Sequence, residues 1–239
     1  SSTLNLISGL TRFGLDISSV KEIASANNDL EKDKASTLVN VTMKLTWVTG
    51  VIGSIISLIL SPWLSHIIFG NEKYTLFFII ISIAILFNQL TIGNLAVLQG
   101  LKHLKRLAKV TVFTSFFSLI PTLIIYYLIG EKGIPWVILI TAIIGYFLSK
   151  YYIGKLKIIK IDLPFKKLVL EGKSMMRLGL VLSLASLSTL VVGYLIQVFI
   201  TNAGNIKEVG LYNAGFALIN SYVAVFFNAL SKDFFPRLS

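Results

Sequence analysis

Arg12 and Asp16 stand four residues apart in a mostly apolar stretch, the spacing that lets a guanidinium and a carboxylate pair along one helix face. A guanidinium in such surroundings also suits bidentate capture of phosphate oxygens. Two readings stay open: a phosphate-binding cation steadied by its acid, or a self-neutralised pair that only fixes helix packing. A second group is made of amides. Asn88 and Gln89 sit together within one long apolar run, Gln197 lies deep in another, and Asn213 and Asn220 recur seven apart in a third. A seven-residue spacing puts the last two on one helix face, where with Gln197 they would line a wet cavity for hydroxyl-rich ligands. Amides of this kind also serve as glue between helices.

Enzymatic chemistry finds little to work with. No glycine loop with lysine for phosphates, no zinc-protease helix motif and no serine elbow occurs. Only 11 Asp and Glu are present, and Asp16 alone falls inside an apolar span, so an acid-bound metal has no ligand set. There is no cysteine. The expectation is a protein that is not an enzyme and carries neither metal nor cofactor.

The elements that must position these groups are set by the solvent. Hydrophobic residues make up 55% of the 239 and charged ones 14%, with a mean hydropathy of +0.80; soluble domains carry nearly twice that charge. Lipid is therefore the surrounding medium for most of the chain. Charge-free stretches run from Leu45 to Phe69, Tyr74 to Leu101, Val110 to Gly130, Gly133 to Ser149, Leu178 to Ile206 and Val209 to Ser231, each close to the ~20 residues of a spanning helix. Leu4 to Ala26, which carries Arg12 and Asp16, makes a seventh.

The connectors alternate between short and basic. Nineteen Lys and Arg fall on one side of this arrangement and three, Lys73, Lys132 and Lys207, on the other; the richer side belongs in the cytoplasm. Orientation thus accounts for the net charge of +11, and no aromatic-interleaved basic patch points to nucleic acid. In this orientation Arg12 lies roughly 14 Å from the cytoplasmic end of its helix, near the midplane. The long connector from Lys150 to Arg177 mixes lysines with Ile and Leu, as an amphipathic segment on anionic headgroups does. Gly and Pro recur inside the spans. Pro121, about midway along its span, frees the carbonyl of Phe117 and is the best hinge candidate.

Several segments carry a family likeness. Gly14-Leu15-Asp16-Ile17-Ser18-Ser19-Val20-Lys21-Glu22-Ile23-Ala24 resembles the end of the second helix in Wzx-like polysaccharide flippases. Phe69-Gly70-Asn71-Glu72-Lys73-Tyr74 is similar to the outer end of their next helix, and Leu98-Gln99-Gly100-Leu101-Lys102 to their glutamine-glycine turn before a basic loop. Ile206-Lys207-Glu208-Val209-Gly210-Leu211-Tyr212-Asn213-Ala214, leading to Phe235-Pro236-Arg237-Leu238-Ser239, resembles their eighth helix.

The resemblance implies an all-α polytopic membrane protein of the multidrug/oligosaccharidyl-lipid/polysaccharide (MOP) exporter superfamily, a MATE-like bundle of two lobes around a central cavity. About seven transmembrane helices of that larger transporter would be present, helices two to eight, so the chain reads as a fragment. Residues 1–153 would belong to the N-terminal lobe, 154–177 to a basic cytoplasmic linker and 178–239 to the start of the C-terminal lobe. The implied function is flipping of undecaprenyl-pyrophosphate-linked oligosaccharide across a bacterial inner membrane, coupled to H+ or Na+. The implied partners are the bilayer, the lipid-linked glycan and other polysaccharide-assembly membrane proteins. Arg12 would contact pyrophosphate in the cavity, with Asp16, Asn88, Gln89, Gln197, Asn213 and Asn220 around it. A multidrug exporter of the same superfamily is the alternative; the nearby arginine and the single intramembrane acid speak against a cavity for cationic drugs. A membrane-embedded glycan polymerase would need a large periplasmic loop, and the connectors are short on that side.

Overall fold

The structure is a computed structural model that describes residues 14–28, 32–69, 71–156, 172–181 and 206–238, with scattered positions between 183 and 200. Among the described residues all regular structure is helical: α1 Leu15–Asn28, α2 Lys32–Ile59, α3 Ser61–Phe69, α4 Thr75–Gly100, α5 Leu104–Ile129, α6 Ile134–Gly154 and α7 Ile206–Leu238. Residues 172–181 are helical as well. The expected all-α polytopic membrane architecture is the one found. Four described helices, within α2, α4, α5 and α6, are long and apolar enough to cross a membrane. The expected span from Leu178 to Ile206 lies partly outside the described residues; that from Val209 to Ser231 falls within α7.

The span expected from Leu45 to Phe69 is built differently. α2 starts thirteen residues earlier, at Lys32, and stops at Ile59; the chain turns at Leu60 and resumes as the nine-residue α3. At about 1.5 Å per residue the 28 residues of α2 reach ~42 Å, longer than the ~30 Å hydrocarbon core. Its charged first turns, with Asp33 and Lys34 exposed, extend past that core. Pro62 follows the break at the second position of α3, where the missing N–H costs no intrahelical bond.

α4 is the centre. It packs on α1, α2 and α6, while α5 leans mainly on α6 and leaves most of its apolar surface outward. Two contacts without side-chain room hold the centre tight. A Cβ on Gly93 of α4 would lie 2.5 Å from the Thr46 methyl of α2, and one on Gly100 would lie 2.8 Å from Ile23 of α1. Only hydrogen fits in either place.

The main apolar core gathers at one end of the bundle. Ile23 and Ala26 near the end of α1, Leu38 and Val41 near the start of α2, Val97 and Leu98 late in α4, and Leu107 and Val110 early in α5 belong to one cluster with Ile153 and Met175. These are the helix ends that adjoin the basic connectors, so the fold brings those connectors to a common side. The connector between α4 and α5 turns in three residues. The His103 N–H donates to the Leu98 carbonyl at 2.8 Å and the Lys102 N–H to Gln99 at 2.9 Å, a Schellman pair with Lys102 as the left-handed residue at φ 59. At the other end of the bundle Gly130, φ 64, closes α5.

Candidate functional site

Helix 172–181 lies antiparallel on α1 and beside α2. Gly14 and Gly179 meet backbone to backbone, a Cβ on Gly14 falling on the Gly179 carbonyl. The Ser174 hydroxyl donates to Glu22 Oε1 at 2.8 Å, and fully buried Met175 brings its sulfur to 3.9 Å from the Thr42 hydroxyl. Gly14 is doubly constrained, since its φ of 56 also suits glycine.

Between the two helices, near the basic connectors, opens a cavity of about 580 Å³. Lys21, Glu22, Lys173, Ser174 and Arg177 line it, with Leu178 and Val181 behind them. Three cations thus surround one carboxylate, and that carboxylate already accepts a hydrogen bond. Such a mouth attracts anions, and its arginine offers the fork geometry that matches phosphate oxygens. The serines one turn up α1, Ser18 and Ser19, are fully buried, and their hydroxyls have no hydrogen-bond partner among the described residues.

The residues singled out from the sequence part company here. Arg12 and Gln197 lie outside the described residues. Asp16 occupies the first turn of α1, where a carboxylate complements the helix dipole, and its Oδ1 accepts the Ile17 N–H at 3.1 Å. Asn88 and Gln89 diverge as neighbours on a helix must. Asn88 is exposed midway along α4, whereas Gln89 is buried and donates to Thr49 Oγ1 at 3.1 Å across the α2–α4 contact. Asn213 is exposed on α7. Asn220 lies in the same helix, with its side chain outside the described ones. Pro121 sits inside a continuous α5 between Ser118 and Thr122, whose hydroxyls donate to the carbonyls of Ser115 and Ser118.

In the sequence Lys21 falls in the family-like stretch Gly14 to Ala24, and Lys173 and Arg177 in the basic connector, with nothing local to join the two segments. Lys173 and Arg177 are four apart, hence on one face of a helix, which was the available sign that they act together.

Fold and site together define a multi-pass helical membrane protein with a basic mouth at the end of its bundle. The chain matches the polysaccharide biosynthesis protein family over residues 5–239. It belongs to that family, and the resemblance to Wzx-like polysaccharide flippases read from its motifs is borne out. No match was found among curated proteins or among solved structures.

Proposed function

We propose that this chain is part of a transporter, not an enzyme, that moves undecaprenyl-pyrophosphate-linked oligosaccharide from the cytoplasmic to the periplasmic leaflet of a bacterial inner membrane. The observation that carries the reading is the cluster of Lys21, Lys173 and Arg177 around one cavity between α1 and helix 172–181. A pyrophosphate entering from the cytoplasmic side meets these cations first. Arg12 takes it deeper, and Asn88, Asn213, Asn220 and Gln197 face the glycan, while the lipid tail stays in the bilayer. Alternating access then needs substrate and a coupling ion, H+ or Na+, to favour different states. The close backbone approach of Gly14 to Gly179 holds the two helices together in the present state.

The test is made in cells whose own copy of the gene is deleted and replaced by variants. Arg177→Gln and Lys173→Gln are expected to make lipid-linked glycan accumulate on the cytoplasmic leaflet, with Arg177→Lys restoring export only in part. Normal surface polysaccharide together with altered dye efflux in the deletion strain would overturn the flippase reading in favour of drug export.

A further inference from the structure

A second cavity, of about 630 Å³, opens on another face of the bundle, where α2 and α6 flank α4. Lys150 of α6 is its only charged lining residue among those described, and Asn40, Asn94, Trp47 and Tyr146 accompany it. None of these residues lines the mouth between α1 and helix 172–181. Lys150 Nζ stands 5.4 Å from the Tyr146 ring centroid, within cation–π range. Asn94 is fixed by donating to Ser149 Oγ at 2.9 Å.

The floor of this cavity continues as a stripe. Leu76, Ile79, Ile83, Leu90 and Asn94 recur at spacings of three, four and seven along α4, so they share one face. The outer three are exposed, at 59%, 38% and 42%. From Asn94 to Ile83 the helix rises ~16 Å, about half of a ~30 Å hydrocarbon core. That is the reach of one acyl chain in one leaflet.

We infer that this groove is a binding site for an anionic phospholipid of the cytoplasmic leaflet. Lys150, near the basic-connector end of α6, takes the headgroup phosphate. Trp47 and Tyr146 hold the interfacial part of the lipid, and a tail lies along the α4 stripe. Charge selects the occupant: the polar end is cationic, the track leading from it is apolar, and basic pockets between helices on the cytoplasmic side are where anionic headgroups bind. A second protein helix would leave Lys150 facing hydrocarbon unless it brought its own acid.

The experiment offers the detergent-purified chain equal amounts of phosphatidylglycerol and phosphatidylcholine and reads the retained lipid by native mass spectrometry. Phosphatidylglycerol should be preferred. Lys150→Gln should lower its retention about fivefold, the weight of one lysine against an anionic surface, and Lys150→Arg should keep most of it. Lys155→Gln serves as the control, because Lys155 stacks over Tyr151 at 4.2 Å and does not line the groove. As a second readout, phosphatidylglycerol with a photoreactive acyl chain should label the α4 segment from Ile83 to Leu90. Equal retention of both lipids, equal losses in the Lys150 and Lys155 variants, displacement by inorganic phosphate alone, or labelling that avoids α4 would each overturn the assignment.

Discussion

Gln89 Nε2 donates to Thr49 Oγ1 at 3.1 Å, while Thr49 gives its own proton to the Leu45 carbonyl at 2.9 Å. The bond therefore has a direction, and its two ends differ in what they lose. Gln89→Leu leaves Thr49 still bonded to its own helix and should cost less than about 1 kcal/mol. Thr49→Val strands a buried amide and should cost about 1–3 kcal/mol. The double variant Thr49→Val, Gln89→Leu should recover most of that loss. Unfolding in mixed detergent micelles measures all three, and equal single-variant effects would contradict the assigned direction.

Gly14 and Gly130 separate two reasons for a glycine. Both have positive φ, but a Cβ on Gly130 meets nothing within 4 Å, whereas one on Gly14 strikes the Gly179 backbone. Gly130, at φ 64 and ψ −143, sits in a region essentially confined to glycine, so Gly130→Ala should cost about 1–3 kcal/mol of backbone strain alone. Gly14→Ala adds a clash with main chain that cannot swing aside, and should cost at least twice as much by detaching helix 172–181 from α1. The chain has no cysteine, so the paired changes Glu22→Cys and Ser174→Cys report on that contact directly. Bridged by a short bifunctional thiol reagent, the pair should crosslink with Gly14 and fail with Ala at that position, while Gly130→Ala leaves the crosslink intact.

The spans were legible because hydrocarbon excludes charge. Thr75–Gly100 lies within one residue at either end of the charge-free run from Tyr74 to Leu101. Where a helix outgrows the bilayer that signal fails: Lys32, Asp33, Lys34 and Lys44 concealed the first turns of α2. The break at Leu60 was hidden for the opposite reason, since uniformly apolar sequence does not mark a turn. Among the candidate site residues, composition identified the amides but could not say that Asn88 is exposed while Gln89 faces α2, because partner helices decide which face is buried. The mouth lined by Lys21 and Arg177 joins residues more than 150 positions apart, and no local pattern encodes that meeting.

Pro121 offers a test of motion rather than packing. It removes one backbone donor from α5, and nearby Ser118 and Thr122 hydrogen-bond to carbonyls of the same helix, a combination that softens a helix locally. Pro121→Ala should leave the fold intact and raise thermal stability by a few degrees, because α5 touches few neighbours there. If α5 bends at this point during transport, glycan export should fall several-fold in the same variant. Export at the normal rate would make Pro121 a static kink.

His103 opens the first turn of α5 on the basic side, with its carbonyl accepting the Arg106 N–H at 3.0 Å. Partial burial, and after it the Arg106 guanidinium, hold its imidazole below the ordinary value of 6.5. The neutral ring is thus favoured in the folded state. Its contribution to stability is complete above 6.5, declines as pH falls toward the lowered value, and is absent below it. Arg106→Gln should move the titration upward, but only part of the way, because burial is the larger cause and remains. NMR of 13C-labelled histidine in detergent micelles resolves this ring from His66, the one other histidine. A midpoint at or above 6.5 in the unaltered chain, or no movement in Arg106→Gln, would contradict the two causes assigned to it.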